Sequence, residues 1–208
     1  MANVQTSVSA RKFVLTRLHS LMGILPLGVF LLEHLYSNAI AMLGPQAYDE
    51  HVKTLLGIPF VTVIEVLFIG LPLLYHAIYG LYIAFVARNN AISYSYARNW
   101  MFALQRASGV ITLIFVVYHL WAFRISSLVF GTPVNYLAVQ EHLANLGILL
   151  FYIVGLVAAV FHFTNGLRTG LVTWGITVGP ASQRISARIT FALFIVLSAV
   201  GIATLFAF

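Results

Sequence analysis

Two hundred and eight residues, 61% of them hydrophobic and only 8% charged, with a mean hydropathy of +0.97, exclude an ordinary soluble domain, in which about a quarter of residues carry charge. The length accommodates about five membrane crossings of about 20 residues each and leaves no room for a soluble catalytic domain. The net charge of +6 is scattered over short loops, without the stripe or cluster that nucleic acid requires, and the lack of cysteine excludes disulfides, thiolate-held iron–sulfur clusters and C-x-x-C-H attachment.

The chain reads as one all-α unit, residues 1–208, an integral membrane bundle of five transmembrane helices. Residues 1–19 are polar and basic and are expected to form a short amphipathic approach to the membrane. Arg11, Lys12 and Arg17 give this segment the positive flank of a signal peptide, but the run from Leu21 to Leu43 is too long for an h-region and lacks a cleavage motif, so it is a retained span. Span one covers about residues 20–43 and stops at Gly44-Pro45. A loop over 46–57 carries Asp49, Glu50, His51 and Lys53, with His51 expected in solvent. Span two covers 59–87, with Pro59 as a suitable first helical residue. A polar connection over 88–100 leads to span three at 101–130, which ends at Gly131-Thr132-Pro133. A short segment containing Glu141 and a solvated His142 precedes span four at 146–172, and a loop with Gly179-Pro180 precedes span five at 187–208.

Counting Lys and Arg orients the bundle. One side collects Arg11, Lys12, Arg17, Arg88, Arg98, Arg106, Arg168, Arg184 and Arg188, and the other has only Lys53 and Arg124. By the positive-inside rule the N-terminus is cytoplasmic and, after five crossings, the C-terminus is outside.

Four histidines, His34, His76, His119 and His162, each fall inside a different apolar run, at intervals of 42, 43 and 43 residues. An ionisable residue in a span is costly, which makes it a functional candidate by default. At about 1.5 Å per residue from the outer end of each span, His34 and His119 lie about 13 and 16 Å deep, and His76 and His162 about 25 and 24 Å. The four form two levels, an outer pair from spans one and three and an inner pair from spans two and four.

Two imidazoles from different helices at one depth suit a haem iron held from both faces. Glycines at Gly80, Gly166, Gly155 and Gly23 share helical faces with these histidines and leave room for a flat macrocycle. Zinc fits less well, because neither level has a third ligand. Arg17, Arg106 and Arg168, with His19 and the hydroxyls of Ser20, Ser108 and Thr112, lie towards the inner surface, where anionic propionates need partners. Glu65 precedes His76 by eleven positions, about 20° from the same face. Its carboxyl is expected to point into the bundle as a proton relay to a quinone, with an interhelical hydrogen bond as the plainer reading; Glu33 is turned about 100° from His34. On residues alone, a haem-free anchor or a proton channel lined by these histidines stays open.

The surrounding motifs are Arg17-Leu18-His19-Ser20-Leu21, LLYHAIYGLYIAF at 73–85, YSYARNWMFALQR at 94–106, VFHFTNGL at 160–167 and VTWGIT at 172–177. Together they resemble the cytochrome b anchor subunit of succinate:menaquinone oxidoreductases of the Gram-positive type, over nearly the whole chain. The resemblance implies a subunit with two b haems in a bacterial plasma membrane, anchoring a flavoprotein and an iron–sulfur subunit on the cytoplasmic face. It implies His76 and His162 as axial ligands of the inner haem and His34 and His119 of the outer one. Electrons are then expected to pass from the iron–sulfur subunit through the inner and the outer haem to menaquinone; quinol:fumarate reduction is the alternative direction. The loops at 44–57 and 131–145 match least well.

Overall fold

The computed structural model describes residues 2–86 and 92–208, with side chains from residue 10 onward, so Arg88 and the first residues of the 88–100 connection lie outside the described residues. Among the described residues there is no strand, and five helical stretches are long and apolar enough to cross a membrane: Ala10–Leu43, Val61–Val86, Ala97–Phe130, Leu146–Thr173 and Pro180–Leu205.

The first stretch is a continuation of helix α1 (Ala2–Ile24), so Arg11, Lys12 and Arg17 ride on the same helix that enters the apolar region and form no separate approach segment. Backbone bonding carries a helix past the end of its apolar stripe when the flanking residues are good helix formers. Leu25 then interrupts it, and α2 (Pro26–Ala39) follows with proline at its first position. Proline has no N–H to give the preceding turn, so the span is broken at this point. A 3₁₀ turn, Ile40–Leu43, leads to Gly44, whose φ of 105° is a conformation that glycine adopts without strain.

Residues expected as a loop form α3 (Pro45–Leu56), begun by Pro45 at its first position and with Lys53 in its last turn. Span two starts two residues later than expected: Pro59 belongs to the preceding turn, Phe60 is left-handed at φ 58°, and α4 (Val61–Glu65) begins after it. A π-helical turn, Val66–Gly70, joins α4 to α5 (Leu71–Val86). Span three has the same build, with α6 (Ala97–Leu120), a π turn at Trp121–Ile125 and α7 (Ser126–Phe130). The short α8 (Tyr136–Leu143) is capped by the Asn135 side chain, which accepts from Ala138 N at 2.9 Å. Span four is α9 (Leu146–Thr173), and span five is α10 (Pro180–Leu205), which begins at the Gly179-Pro180 breaker, before the apolar run.

Helix α9 is the centre of the bundle, packed on both α6 and α10. Its contact with α10 is made by small residues: a Cβ on Gly201 would lie 2.7 Å from Leu156 Cδ1, and buried Thr164, Thr190 and Thr204 turn their hydroxyls back onto Val160, Ser186 and Val200 carbonyls. In hydrocarbon, such close approach and internal satisfaction replace the hydrophobic drive of a soluble core. The large apolar side chains, among them Phe85, Ile114, Val154 and Phe191, face outward instead. On the side of the C-terminus, α3, α8 and the chain end meet: Tyr136 N donates to Asp49 at 2.7 Å, its hydroxyl donates to Ala207 O, and Tyr48 packs on Phe208. Burial, with Asp49 beside it, pushes the Tyr48 phenol up to about 12.

Candidate functional site

His76 on α5 and His162 on α9 face each other with ring centres 6.0 Å apart and planes at 84°. His34 on α2 and His119 on α6 face each other at 5.6 Å and 76°. The four spans that carry a histidine thus bring them together in the two pairs expected from depth.

Each imidazole of the first pair is tied by Nδ1 to a main-chain carbonyl, His76 to His19 O and His162 to Gln105 O, both at 3.0 Å. A carbonyl only accepts, so Nδ1 carries the proton and Nε2 keeps its lone pair for a metal. The second pair is held by side chains. His119 Nδ1 lies 3.4 Å from the Tyr152 hydroxyl, and the Asn38 amide donates to His34 O at 2.8 Å while standing 3.3 Å from His34 Nε2. Phe30 stacks on His34 and Phe115 on His119.

An iron held from both faces at about 2 Å from each imidazole nitrogen, with each ring centre about 1 Å further out, puts the ring centres about 6 Å apart. Both pairs match that separation, and the inner pair has the required tautomer. Among the described residues no three His, Cys, Asp or Glu side chains converge.

Two glycines make room for the imidazoles, and one of them was not anticipated. Gly23, expected to clear the face of His34, lies across from His76, where a Cβ would stand 2.5 Å from Cε1; Gly109 does the same for His162 at 2.8 Å. The reason is that α1 and α6 present these glycines to the neighbouring helix and not along their own. Gly109→Ala is therefore expected to displace His162 and to lower haem content at that level several-fold while leaving the His34/His119 level intact, as read from haem spectra of the variant.

His19 stacks on His76 at 4.1 Å with planes 6° apart, and its Nε2 is buried with no hydrogen-bond partner. Arg17 lies over the rings of Phe13 and Trp174 at 4.9 and 5.4 Å, and Arg106 over Phe102 at 4.3 Å. Ser108 donates to Gln105 O, and the Thr112 hydroxyl is buried without a partner. Arg168 bonds to Asn165, which bonds in turn to Gln105, and neither amide was anticipated. Their one sequence signal is spacing: Asn165 and Arg168 follow His162 at steps of three along one face of α9.

Glu65 takes the plainer of its two expected readings, an interhelical hydrogen bond: it accepts from Arg124 Nε at 2.8 Å and Nη2 at 2.6 Å, and Thr62 accepts from the same guanidinium. Glu65 immediately precedes one π turn and Arg124 lies within the other, so the inserted residues re-aim both side chains towards one interhelical contact. Two histidines expected in solvent are engaged. His51 Nε2 lies 2.9 Å from Ser37 Oγ, which donates a short bond to Glu33. His142 packs among Tyr118, Phe123 and Tyr152, with Nε2 buried and unpartnered, and burial pushes its pKa down. Folding α3 and α8 as helices against the bundle is what half-buries both rings and gives them partners.

A family model described as the succinate dehydrogenase/fumarate reductase transmembrane subunit matches residues 87–201, more than half of the chain. The chain is also 49% identical, over 198 residues, to the succinate dehydrogenase cytochrome b558 subunit of Bacillus subtilis (strain 168), a match covering 95% of this chain and 98% of that protein. Together with five apolar spans in one helical bundle, these similarities show that the chain belongs to the family of succinate dehydrogenase/fumarate reductase transmembrane subunits.

Proposed function

We propose that this chain is the membrane anchor and di-haem subunit through which succinate oxidation by a flavoprotein and an iron–sulfur partner is linked to menaquinone. The observation that carries this reading is the pair of facing imidazoles on each of two levels, at 6.0 and 5.6 Å. The name of the B. subtilis relative, a cytochrome b558 subunit of succinate dehydrogenase, supports it.

When bound, a b haem supplies a one-electron couple at each level. His76 and His162 would hold one and His34 and His119 the other, and at the first pair the chain's own contribution is to leave Nε2 free on both rings and to keep Nδ1 occupied. His19, with its buried unpartnered nitrogen beside His76, is the group the chain best offers to a propionate, and Arg17 and Arg106 add positive charge on the same side of the bundle. The lipid-facing apolar surface and the close α6, α9 and α10 packing keep water from both levels.

The excess of Lys and Arg on the N-terminal side supports a cytoplasmic orientation of that face, with the partner subunits there and menaquinone at the opposite face. An electron crossing from the negative to the positive side gains about 2.3 kcal/mol per 100 mV for the full drop. That gain assists a weakly favourable or uphill reduction of menaquinone.

The test is a reduced-minus-oxidised spectrum of the purified complex with haem quantified per polypeptide. Two haems with the spectra of bis-imidazole cytochromes are expected. A colourless chain would instead favour a haem-free anchor or proton channel, and a single haem would remove one of the two levels.

A further inference from the structure

We propose that Arg168, Asn165 and Gln105 form a one-way hydrogen-bond chain that positions His162 and raises the reduction potential of the haem held by His76 and His162. This inference rests on the two-haem reading above and assigns a role to residues outside the ligand set.

The links are short and continuous. Arg168 donates through Nη2 and Nε to Asn165 Oδ1 at 3.0 and 3.2 Å, Asn165 Nδ2 donates to Gln105 Oε1 at 2.7 Å, and Gln105 Nε2 donates to His162 O at 2.9 Å. The Gln105 amide nitrogen also stands 3.2 Å from His162 Nδ1, whose proton goes to the Gln105 carbonyl at 3.0 Å. Helix α6 therefore grips this histidine with both the main chain and the side chain of a single residue.

The polarity of the chain follows from its ends. A guanidinium has donors and no acceptor, and a carbonyl accepts and does not donate. Asn165 must turn its oxygen to Arg168, which leaves its NH₂ for Gln105, whose oxygen must accept and whose NH₂ must face His162. Every dipole points its positive end towards the imidazole, and each link polarises the next. A positive potential beside the ligand favours the state with the extra electron, so the ferrous form is stabilised.

Packing alone does not call for this arrangement. Asn165 is buried at 7% exposure in the most apolar span, where a leucine would fill the space without desolvating an amide. A role confined to joining α6 and α9 would affect assembly and leave potentials unmoved.

The experiment is a redox titration of both haems in the intact complex, with the two signals assigned from a variant lacking His162. Gln105→Leu and Asn165→Leu each break the chain. Each is expected to lower the ferrous-to-ferric ratio of the His76/His162 haem about tenfold at a fixed ambient potential, or about 59 mV for a one-electron couple. The double variant falls no further, because a chain broken once is already broken, and the His34/His119 haem does not move. Asn165→Asp keeps the volume and the bond to Arg168 but cannot donate to Gln105, and it gives the same fall should an apolar variant lose haem. Unchanged potentials, additive falls, or equal shifts of both haems would overturn the proposal. A wild-type complex with fewer than two haems would instead overturn the two-haem reading.

Discussion

Alanine at His162 is expected to leave the purified complex with one haem in place of the two proposed. The imidazole is anchored to Gln105 O and faces His76, so its removal leaves that pair with one of its two facing rings. Loss of a residue that merely orients a ligand costs about 10–100-fold in metal affinity, and removal of the ligand itself exceeds that. The expected α-band amplitude is half that of wild type, with the His34/His119 contribution retained. Succinate:menaquinone electron flow falls at least as steeply, while succinate oxidation with a soluble acceptor continues if the partner subunits still assemble. His76→Ala gives the same spectrum, and His34→Ala or His119→Ala removes the other half. Two full haem signals in the His162 variant would contradict the assignment.

The second large effect is expected at the Glu65–Arg124 pair. A charged residue at the centre of a span costs about 2.5–3.5 kcal/mol on insertion scales, and a guanidinium nearer the interface costs less. Glu65→Ala leaves Arg124 with the Thr62 hydroxyl as its hydrogen-bond acceptor among the described residues, so a loss of about 2 kcal/mol is expected, seen as a lower thermal midpoint for haem retention in detergent. Arg124→Ala strands the carboxylate and costs a similar amount. The Glu65→Leu/Arg124→Leu double variant regains most of it, because neither charge is then unpaired. Strictly additive losses would show that the two groups do not stabilise each other. Glu65→Gln separates pairing from proton transfer: lost quinone reduction with both haems and stability intact would restore Glu65 as a relay.

The spans and their histidines could be read from the residues because both signals are local. Twenty apolar residues declare a crossing wherever they occur, and an imidazole within them stands out against its cost. The pairing of His76 with His162 and His34 with His119 needed only the rise per residue and the direction of each span. The family resemblance rested on motifs spread through four spans, and the family match agrees with it. What escaped is what depends on geometry between segments. Helix α3 has too few apolar residues to announce itself and is recognisable by its Pro45 start and Gly57 end only once its docking face is known. The π turns add a residue to the helical repeat without any composition signal, so Arg124 could not be named from the residues as the partner of Glu65. Gln105 and Asn165 are ordinary polar residues until α6 and α9 are placed together.

The break at Leu25-Pro26 separates Gly23, against His76, from Gly28, which stands against Phe163 beneath the other half of the same span. One crossing thereby serves both histidine pairs, its first half packed against His76 and its second half carrying His34.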